Sequence, residues 1–341
     1  MTAPFAYVRV TDDADAALDT ATPGTQLLAG GTTLIDLMRL GVMSPTRLLD
    51  INRLAASPST RWGRIEETDK GLSIGALVRN SELAYHPAVR ARFPVLSQAL
   101  LSGASPQLRN MATTAGNLMQ RTRCAYFRDV GVAACNKRNP GSGCAAWDGF
   151  ARQHAILGGS RDCIAVHPSD MCVAMVVLDA VVHVRGHYGA AGEGVTEREI
   201  PVEDFHLLPG ATPARETTIG PGELITRVTL PATRLAARSA YVKARDRASY
   251  AFALASAGVA LHVEGGTIRA ARVALGGVAT KPWRSREAEQ VLEGHEPTDA
   301  LFERAAAAAL ATAQPRTDNR FKVPLAKATI VRALARAREA A

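Results

Sequence analysis

Short apolar runs punctuated by glycine open the chain. Gln26–Ala29 reads as a strand ending at Gly30-Gly31, and Leu34, Ile35, Leu37 and Met38 then fall on one face of a helix that Thr32 or Thr33 can cap. Gly41 stops that helix, and Arg47–Asn52 reads as the next strand. Ile74–Val78 continues the strand signal, and Pro94–Leu101 reads as a helix. The pattern then fails. From Cys124 to Cys163 there is little periodicity, and Asn139-Pro140-Gly141-Ser142-Gly143 is turn chemistry. Periodicity resumes where His167-Pro168-Ser169-Asp170 precedes the apolar run Met171–Ala180, a helix-start signal. Strands are expected at Val181–Val184 and Leu224–Leu230, and a change of texture around Pro231–Arg238 marks a domain boundary. Beyond it, Phe252–Val263 and Ile268–Val278 flank Glu264-Gly265-Gly266-Thr267, which predicts a hairpin. The Ala-rich Asp299–Ala313 and the basic Leu325–Ala340 read as closing helices.

The chain has 341 residues, 47% hydrophobic and 21% charged, which is ordinary globular composition with room for two or three domains. A formal charge of +8 raises nucleic-acid binding, but the excess is mostly Arg dispersed through Ala-rich segments. Aromatic residues for base stacking are only 5%, which argues against that class. The first residues lack the charged leader and apolar core of a signal peptide. No run approaches the roughly 18 apolar residues of a membrane helix; Ala251–Val263 is the nearest candidate and stops too early.

Two segments carry the character of a phosphate cradle. Gly30-Gly31 lies between a strand and a helix N-terminus, where unpaired amides and the helix dipole favour an anion. It matches neither the dinucleotide fingerprint nor the Walker pattern. The second, Gln107–Leu118, surrounds Gly116 and Asn117 with small residues and hydroxyls, and reads equally as a buried turn. By sequence alone Asp170 reads as a helix cap rather than a ligand, and Lys243 and Arg245 fit a solvated basic strand edge.

The strongest chemical signal is the aperiodic stretch itself. Cys124, Cys135, Cys144 and Cys163 are four of the chain's five cysteines, spaced C-x10-C-x8-C-x18-C. A loop this long needs something to hold it, and clustered thiols point to a metal centre. Zinc ribbons use tight C-x2–4-C pairs and ferredoxins use tight spacing too, so spacing alone leaves zinc and an iron–sulfur cluster open, with two disulfides behind them. From Arg109 through Arg161 lie eight Lys or Arg against two acids, Asp129 and Asp148. That excess suits a net-negative cluster, and equally a solvated basic face.

Taken in order, AGGTTLIDLM (29–38), IGALVRNSELA (74–84), QLRNMATTAGNLMQRTRC (107–124), HPSDM (167–171), KARDRASYAFAL (243–254) and ALGGVATKPWR (274–284) resemble the FAD-binding subunit of xanthine dehydrogenase-family molybdenum hydroxylases. The match is close to the flavin subunits of bacterial periplasmic aldehyde oxidoreductases and covers nearly the whole chain. The resemblance implies an α+β chain with a vanillyl-alcohol-oxidase/PCMH-type FAD-binding fold over 1–232, in subdomains of about 1–55 and 56–232. A smaller C-terminal domain with an antiparallel sheet and helices follows over 233–341. It implies FAD contacts from Gln26, Leu27, Leu28, Ala29, Gly30, Gly31, Thr32, Thr33 and Leu34 around the pyrophosphate, from Thr113, Gly116 and Asn117, and from Asp170, Ile225 and Lys243. Residues 121–165 are an insertion relative to simpler members. A similar insertion in the aldehyde oxidoreductase subunits carries a 4Fe–4S cluster, which assigns Cys124, Cys135, Cys144 and Cys163 as ligands and leaves Cys172 as a buried helix thiol.

The resemblance further implies an electron-transfer subunit of a heterotrimer, with no catalytic residue of its own. A large partner would hold molybdopterin cytosine dinucleotide and oxidise an aldehyde, and a small partner would carry two 2Fe–2S clusters. Relatives that reduce NAD carry acidic residues shortly after the Lys243 position, whereas this chain has Ser249-Tyr250. Oxygen, a quinone or ferredoxin is therefore the expected acceptor, and Tyr250 is a candidate cover for the flavin. The expected location is the periplasm, reached by carriage with an exported partner, or else the cytoplasm. A purine dehydrogenase or 4-hydroxybenzoyl-CoA reductase subunit and a four-cysteine zinc scaffold are the rival readings.

Overall fold

A computed structural model describes residues 3–11, 20–58, 60–188 and 194–340. Near the N-terminus, β1 (Ala6–Arg9), β2 (Thr25–Leu28) and β3 (Arg47–Asp50) form a parallel sheet in the order β1-β3-β2, with Val8 and Leu27 both opposite Leu49. Parallel neighbours need a crossover, and helix α1 (Leu34–Arg39) lies on the one between β2 and β3. Its buried Leu37 and Met38 are two of the apolar positions in the sequence pattern. Neither expected threonine cap forms. Thr33 precedes the helix in a helical conformation and its side chain accepts no capping bond.

The second unit is an antiparallel sheet in the order β4-β5-β8-β6-β7, made of β4 (Ile65–Thr68), β5 (Gly71–Gly75), β6 (Val181–Tyr188), β7 (Gly194–Pro201) and β8 (Glu223–Pro231). Helices α2 (Pro94–Ser102), α3 (Pro106–Met111), α4 (Thr114–Leu118) and α5 (Asp170–Val177) lie between β5 and β6 in the chain, and α2, α4 and α5 share the core of the sheet. The strand signal at Ile74–Val78 is realised earlier in the chain, at Gly71–Gly75, and Val78 instead lends its carbonyl to the Thr114 amide at 2.9 Å. Every residue of α5 is buried, which accounts for its lack of a polar face. Ser169 caps it by accepting from the Cys172 amide at 3.0 Å, so Asp170 is the first helical residue and not the cap.

The third unit is the antiparallel sheet β12-β11-β10-β9, from β9 (Ser239–Ala244), β10 (Ala255–Glu264), β11 (Thr267–Gly276) and β12 (Trp283–Arg284). The expected hairpin turns at Gly265 and Gly266, both at positive φ (+59° and +78°), a conformation glycine adopts without a steric penalty. Helices α6 (Arg286–Leu292), α7 (Asp299–Ala309) and α8 (Lys322–Glu339) close its core. Helix α5 also packs against β10 and β11. A Cβ added at Gly276 would lie 2.6 Å from the Val173 side chain, so the last sheet and the first domain meet at a glycine-dependent seam. Among the described residues no helix is long and apolar enough to cross a membrane.

Candidate cofactor sites

Where β2 ends, Ala29 to Thr33 turn the chain into α1, with Gly31 at φ +71°. Gly30 is required for a different reason. A Cβ there would lie 2.0 Å from the Met111 carbonyl oxygen, so its bareness lets the end of α3 close on the turn. Two side chains lock that approach. Asn52 Nδ2 donates to the Ala29 carbonyl at 3.0 Å, Arg79 Nη2 donates to Asn52 Oδ1 at 2.9 Å, and Arg79 Nη1 donates to the Met111 carbonyl. Neither Asn52 nor Arg79 stands out in the sequence, because each acts on residues more than twenty positions away.

A cavity of about 490 Å³ opens beside this turn, within the range of cofactor sites. Gln26, Leu27, Ala29, Gly30, Gly31, Thr32, Thr33, Leu34, Thr113 and Gly116 all line it. Among the described residues the amides of Gly30, Gly31, Thr32, Thr33 and Leu34 meet no protein acceptor. A row of unpaired N–H groups at a helix start is what a pyrophosphate would take up. The second segment offers less than its glycine suggests. Thr113 Oγ1 already accepts from the Gly116 amide at 3.1 Å, and the Thr114 and Ala115 amides donate to Val78 and Ala76.

The far wall holds two histidines that sequence patterns do not single out as ligands. His206 Nε2 donates to the Leu118 carbonyl at 2.9 Å, and the rings of His167 and His206 meet edge-on at 4.2 Å. His167 Nδ1 accepts from the Ser169 amide at 3.4 Å, which leaves Nε2 carrying the proton, buried and without a partner. Burial holds His167 well below the usual imidazole value and lowers His206 to about 4, so both stay neutral. An unsatisfied buried donor on the cavity wall fits a cofactor rich in acceptors. With Cys172 these histidines are the only group of three or more potential metal ligands within 4.8 Å of one another among the described residues.

The remaining expected FAD contacts lie off this wall. The Leu28 carbonyl is taken by the Ile51 amide at 3.1 Å, and Asn117 Oδ1 accepts from Ser169 Oγ at 2.6 Å. Ile225 is buried in the main core opposite Val184. Asp170 accepts from Lys243 Nζ at 2.7 Å and from the Tyr241 hydroxyl at 2.5 Å, and Lys243 also donates to the Ser102 carbonyl. This buried ion pair joins α5 to β9 and does not line the cavity. Tyr250, expected over the flavin, is half-exposed at positive φ (+52°) and also stands outside the lining.

Next to the large cavity the aperiodic stretch wraps a small one, of about 20 Å³, lined by Cys124, Cys135, Cys144 and Cys163 together. Cys135 and Cys144 face each other as an isolated antiparallel pair, closed by the Asn136 amide on the Gly143 carbonyl at 2.7 Å. Gly141 and Gly143 sit at positive φ (+85° and +91°) in the turn between them. Cys124 leads into a four-residue helix, and Cys163 closes a tight turn with Ser160. All five thiols are free of disulfide bonds, and burial pushes Cys124 up to about 12 and raises Cys163.

Their spacing can be set against a zinc site. Four sulfurs on one tetrahedral zinc stand about 3.8 Å apart, from a Zn–S bond near 2.3 Å. Here no three of the cysteine sulfurs lie within 4.8 Å of one another, yet all four line one cavity. The four thiols therefore line one cavity without forming a closed tetrahedral zinc site. The basic excess of the stretch is not a free face. Arg123 and Arg128 pair with Asp36 of α1, Arg121 and Lys137 with Glu216, and Arg152 with Asp246, so the charges tie the insertion to the rest of the chain. Lys137, Cys163 and Ala165 line both cavities.

Comparison with known proteins agrees with this architecture. Residues 3–233 match the FAD binding domain in molybdopterin dehydrogenase, and residues 239–337 match the CO dehydrogenase flavoprotein C-terminal domain. The chain is 52% identical over 338 residues to the aldehyde oxidoreductase FAD-binding subunit of Escherichia coli, covering 98% of each. It is 26% identical to the carbon monoxide dehydrogenase medium chain of Hydrogenophaga pseudoflava, covering 91% of this chain and 88% of the other. The solved carbon monoxide dehydrogenase from Hydrogenophaga pseudoflava superposes with a TM-score of 0.73 at 26% identity, covering 99% of both chains. Quinoline 2-oxidoreductase from Pseudomonas putida 86 shares the fold, with a TM-score of 0.73 at 24% identity, covering 100% of this chain and 99% of the other.

Proposed function

The chain belongs to the FAD-binding subunits of the molybdopterin dehydrogenases, and on that premise we propose that it is the FAD- and 4Fe–4S-carrying electron-transfer subunit of an aldehyde oxidoreductase. The observation that carries the reading is the shared wall. A cavity lined by an unpaired amide row and a cavity lined by four thiols meet at Lys137, Cys163 and Ala165. Aldehyde chemistry would lie on a large molybdenum-cofactor partner, and a small 2Fe–2S partner would feed this chain. When bound, FAD supplies a two-electron centre and the cluster a one-electron centre, with potentials set by the surrounding charge and hydrogen bonds.

The chain's own residues have separate tasks in this reading. The Gly30–Leu34 amides bind the pyrophosphate, and the Asn52–Arg79 bridge fixes the turn that aims them. The neutral histidines His167 and His206 present polar edges without adding charge to the wall. Lys137 sits between the two sites, held by the Pro213 carbonyl at 3.0 Å and by Glu216 at 2.8 Å. Ser249-Tyr250 after Lys243 favours oxygen, a quinone or ferredoxin over NAD as acceptor. The test is a visible spectrum of the purified chain with flavin, iron and sulfide quantified. FAD together with roughly four irons and four sulfides supports the proposal. Flavin with zinc in place of iron defeats the cluster assignment and leaves the flavin assignment standing.

A further inference from the structure

One cysteine of the four has a side-chain partner. Cys124 Sγ lies 3.2 Å from His154 Nε2. We propose that His154 is a positioning residue that donates this N–H to the Cys124 thiolate and raises the reduction potential of the cluster, held in place by the C-terminal domain. The inference rests on the 4Fe–4S reading of the site. A metal-bound thiolate has no proton to give and can only accept, so the ring nitrogen facing it must be the donor. The other ring nitrogen, Nδ1, is buried without a partner, which is tolerable for a lone pair and costly for a second N–H.

His154 is placed to tune the centre and not to ligate it. It does not line the four-thiol cavity and meets only the Cys124 sulfur, so it touches one thiol and not the centre the four thiols share. A hydrogen bond to a cluster sulfur withdraws charge and favours the reduced, more negative state. Its placement comes from beyond the insertion. Its backbone carbonyl accepts from Asn319 Nδ2 at 3.2 Å and from Lys322 Nζ at 3.0 Å, and Lys322 also donates to the Gly277 carbonyl at 2.7 Å. Asp318 accepts from the Ala151 amide at 3.1 Å, and Arg316 donates to the Trp147 carbonyl while stacking 3.7 Å over its ring. Residues 316–322 of the C-terminal domain thus grip the segment that carries His154.

The experiment is a redox titration of the assembled enzyme, following the cluster by its paramagnetic signal, with iron and FAD content measured in each sample. His154→Phe is expected to keep iron and FAD and to shift the cluster potential downward. His154→Gln, which retains an N–H donor, is expected to stay nearer the wild type, and Asn319→Ala to shift in the same direction as His154→Phe by less. An iron-loaded His154→Phe enzyme with the wild-type potential would overturn the proposal. So would loss of iron from both His154 variants while Asn319→Ala keeps its iron and the wild-type potential, since His154 would then be needed for assembly and not for tuning. If the wild type itself holds no iron, the 4Fe–4S reading fails first, and the two failures are told apart.

Discussion

The flavin cavity and the cysteine stretch share a wall and are built in opposite ways. The cavity is framed by β2, α1 and α4, and the bare Gly30 in the turn between β2 and α1 lets the chain close on it. The stretch has two four-residue helices and isolated bridges between Cys135 and Cys144 and between Ser160 and Cys163. Side chains hold it: Arg138 donates to the Tyr126, Phe127 and Val132 carbonyls, and Asn136 spans to Asp162 and Gly143. Regular elements give a site that exists without its ligand. A wrapped loop leans on whatever its four thiols close around.

That contrast can be broken from either side. The largest effect is expected from Gly30→Ala, because the new Cβ would sit 2.0 Å from the Met111 carbonyl oxygen and neither backbone segment can yield cheaply. A loss of about 3 kcal/mol or more is expected, with FAD absent from the purified chain, as read by thermal unfolding and flavin content. Removing iron with a chelator comes next and should divide the molecule. Proteolysis is expected to concentrate within 121–165 while bound FAD is retained, whereas simultaneous loss of FAD would show the two sites to be one cooperative unit.

Asn52→Ala should have a smaller effect, about 1–2 kcal/mol, because it removes the bonds to Ala29 and leaves the part-buried Arg79 guanidinium short of an acceptor. FAD affinity should fall while iron content holds. Asp36→Asn is the mildest. Asp36 joins α1 to the insertion through Arg128 and Arg123, but its side chain is 40% exposed, so well under about 1 kcal/mol is at stake. Arg128 holds the Asp36 carboxyl below the usual carboxylate range. Its contribution is therefore present above the unfolded value near about pH 4 and is lost as pH falls through the lowered folded value. Wild type and Asp36→Asn should differ at neutral pH and converge in acid, as measured by denaturant unfolding across pH.

The same contrast explains what the sequence can tell. The strand–Gly-Gly–helix turn at 26–38 and the hairpin at Gly265-Gly266 are legible because period and turn chemistry are local. The Thr33 cap is not, since a threonine before a helix signals a cap only when its backbone is extended. Asn52, Arg79, His167 and His206 leave no local mark, because their partners lie far along the chain or are set by tertiary packing. The resemblance casts Asp170 and Lys243 as two separate contacts to a cofactor, and only the packing of α5 against the β9–β10 sheet brings them together as a buried pair. For the cysteines, spacing is non-committal. It takes the fold to bring the four thiols onto one cavity.

The measurement that bears most directly on the central claim is iron and sulfide content after single removal of each thiol. Substitution of Cys124, Cys135, Cys144 or Cys163 by Ala is predicted to lose the cluster with FAD retained, and Cys172→Ala to keep both, since Cys172 is buried on α5 outside the four-thiol cavity. Iron retained when any one of the four is removed, or lost when Cys172 alone is removed, would contradict the account.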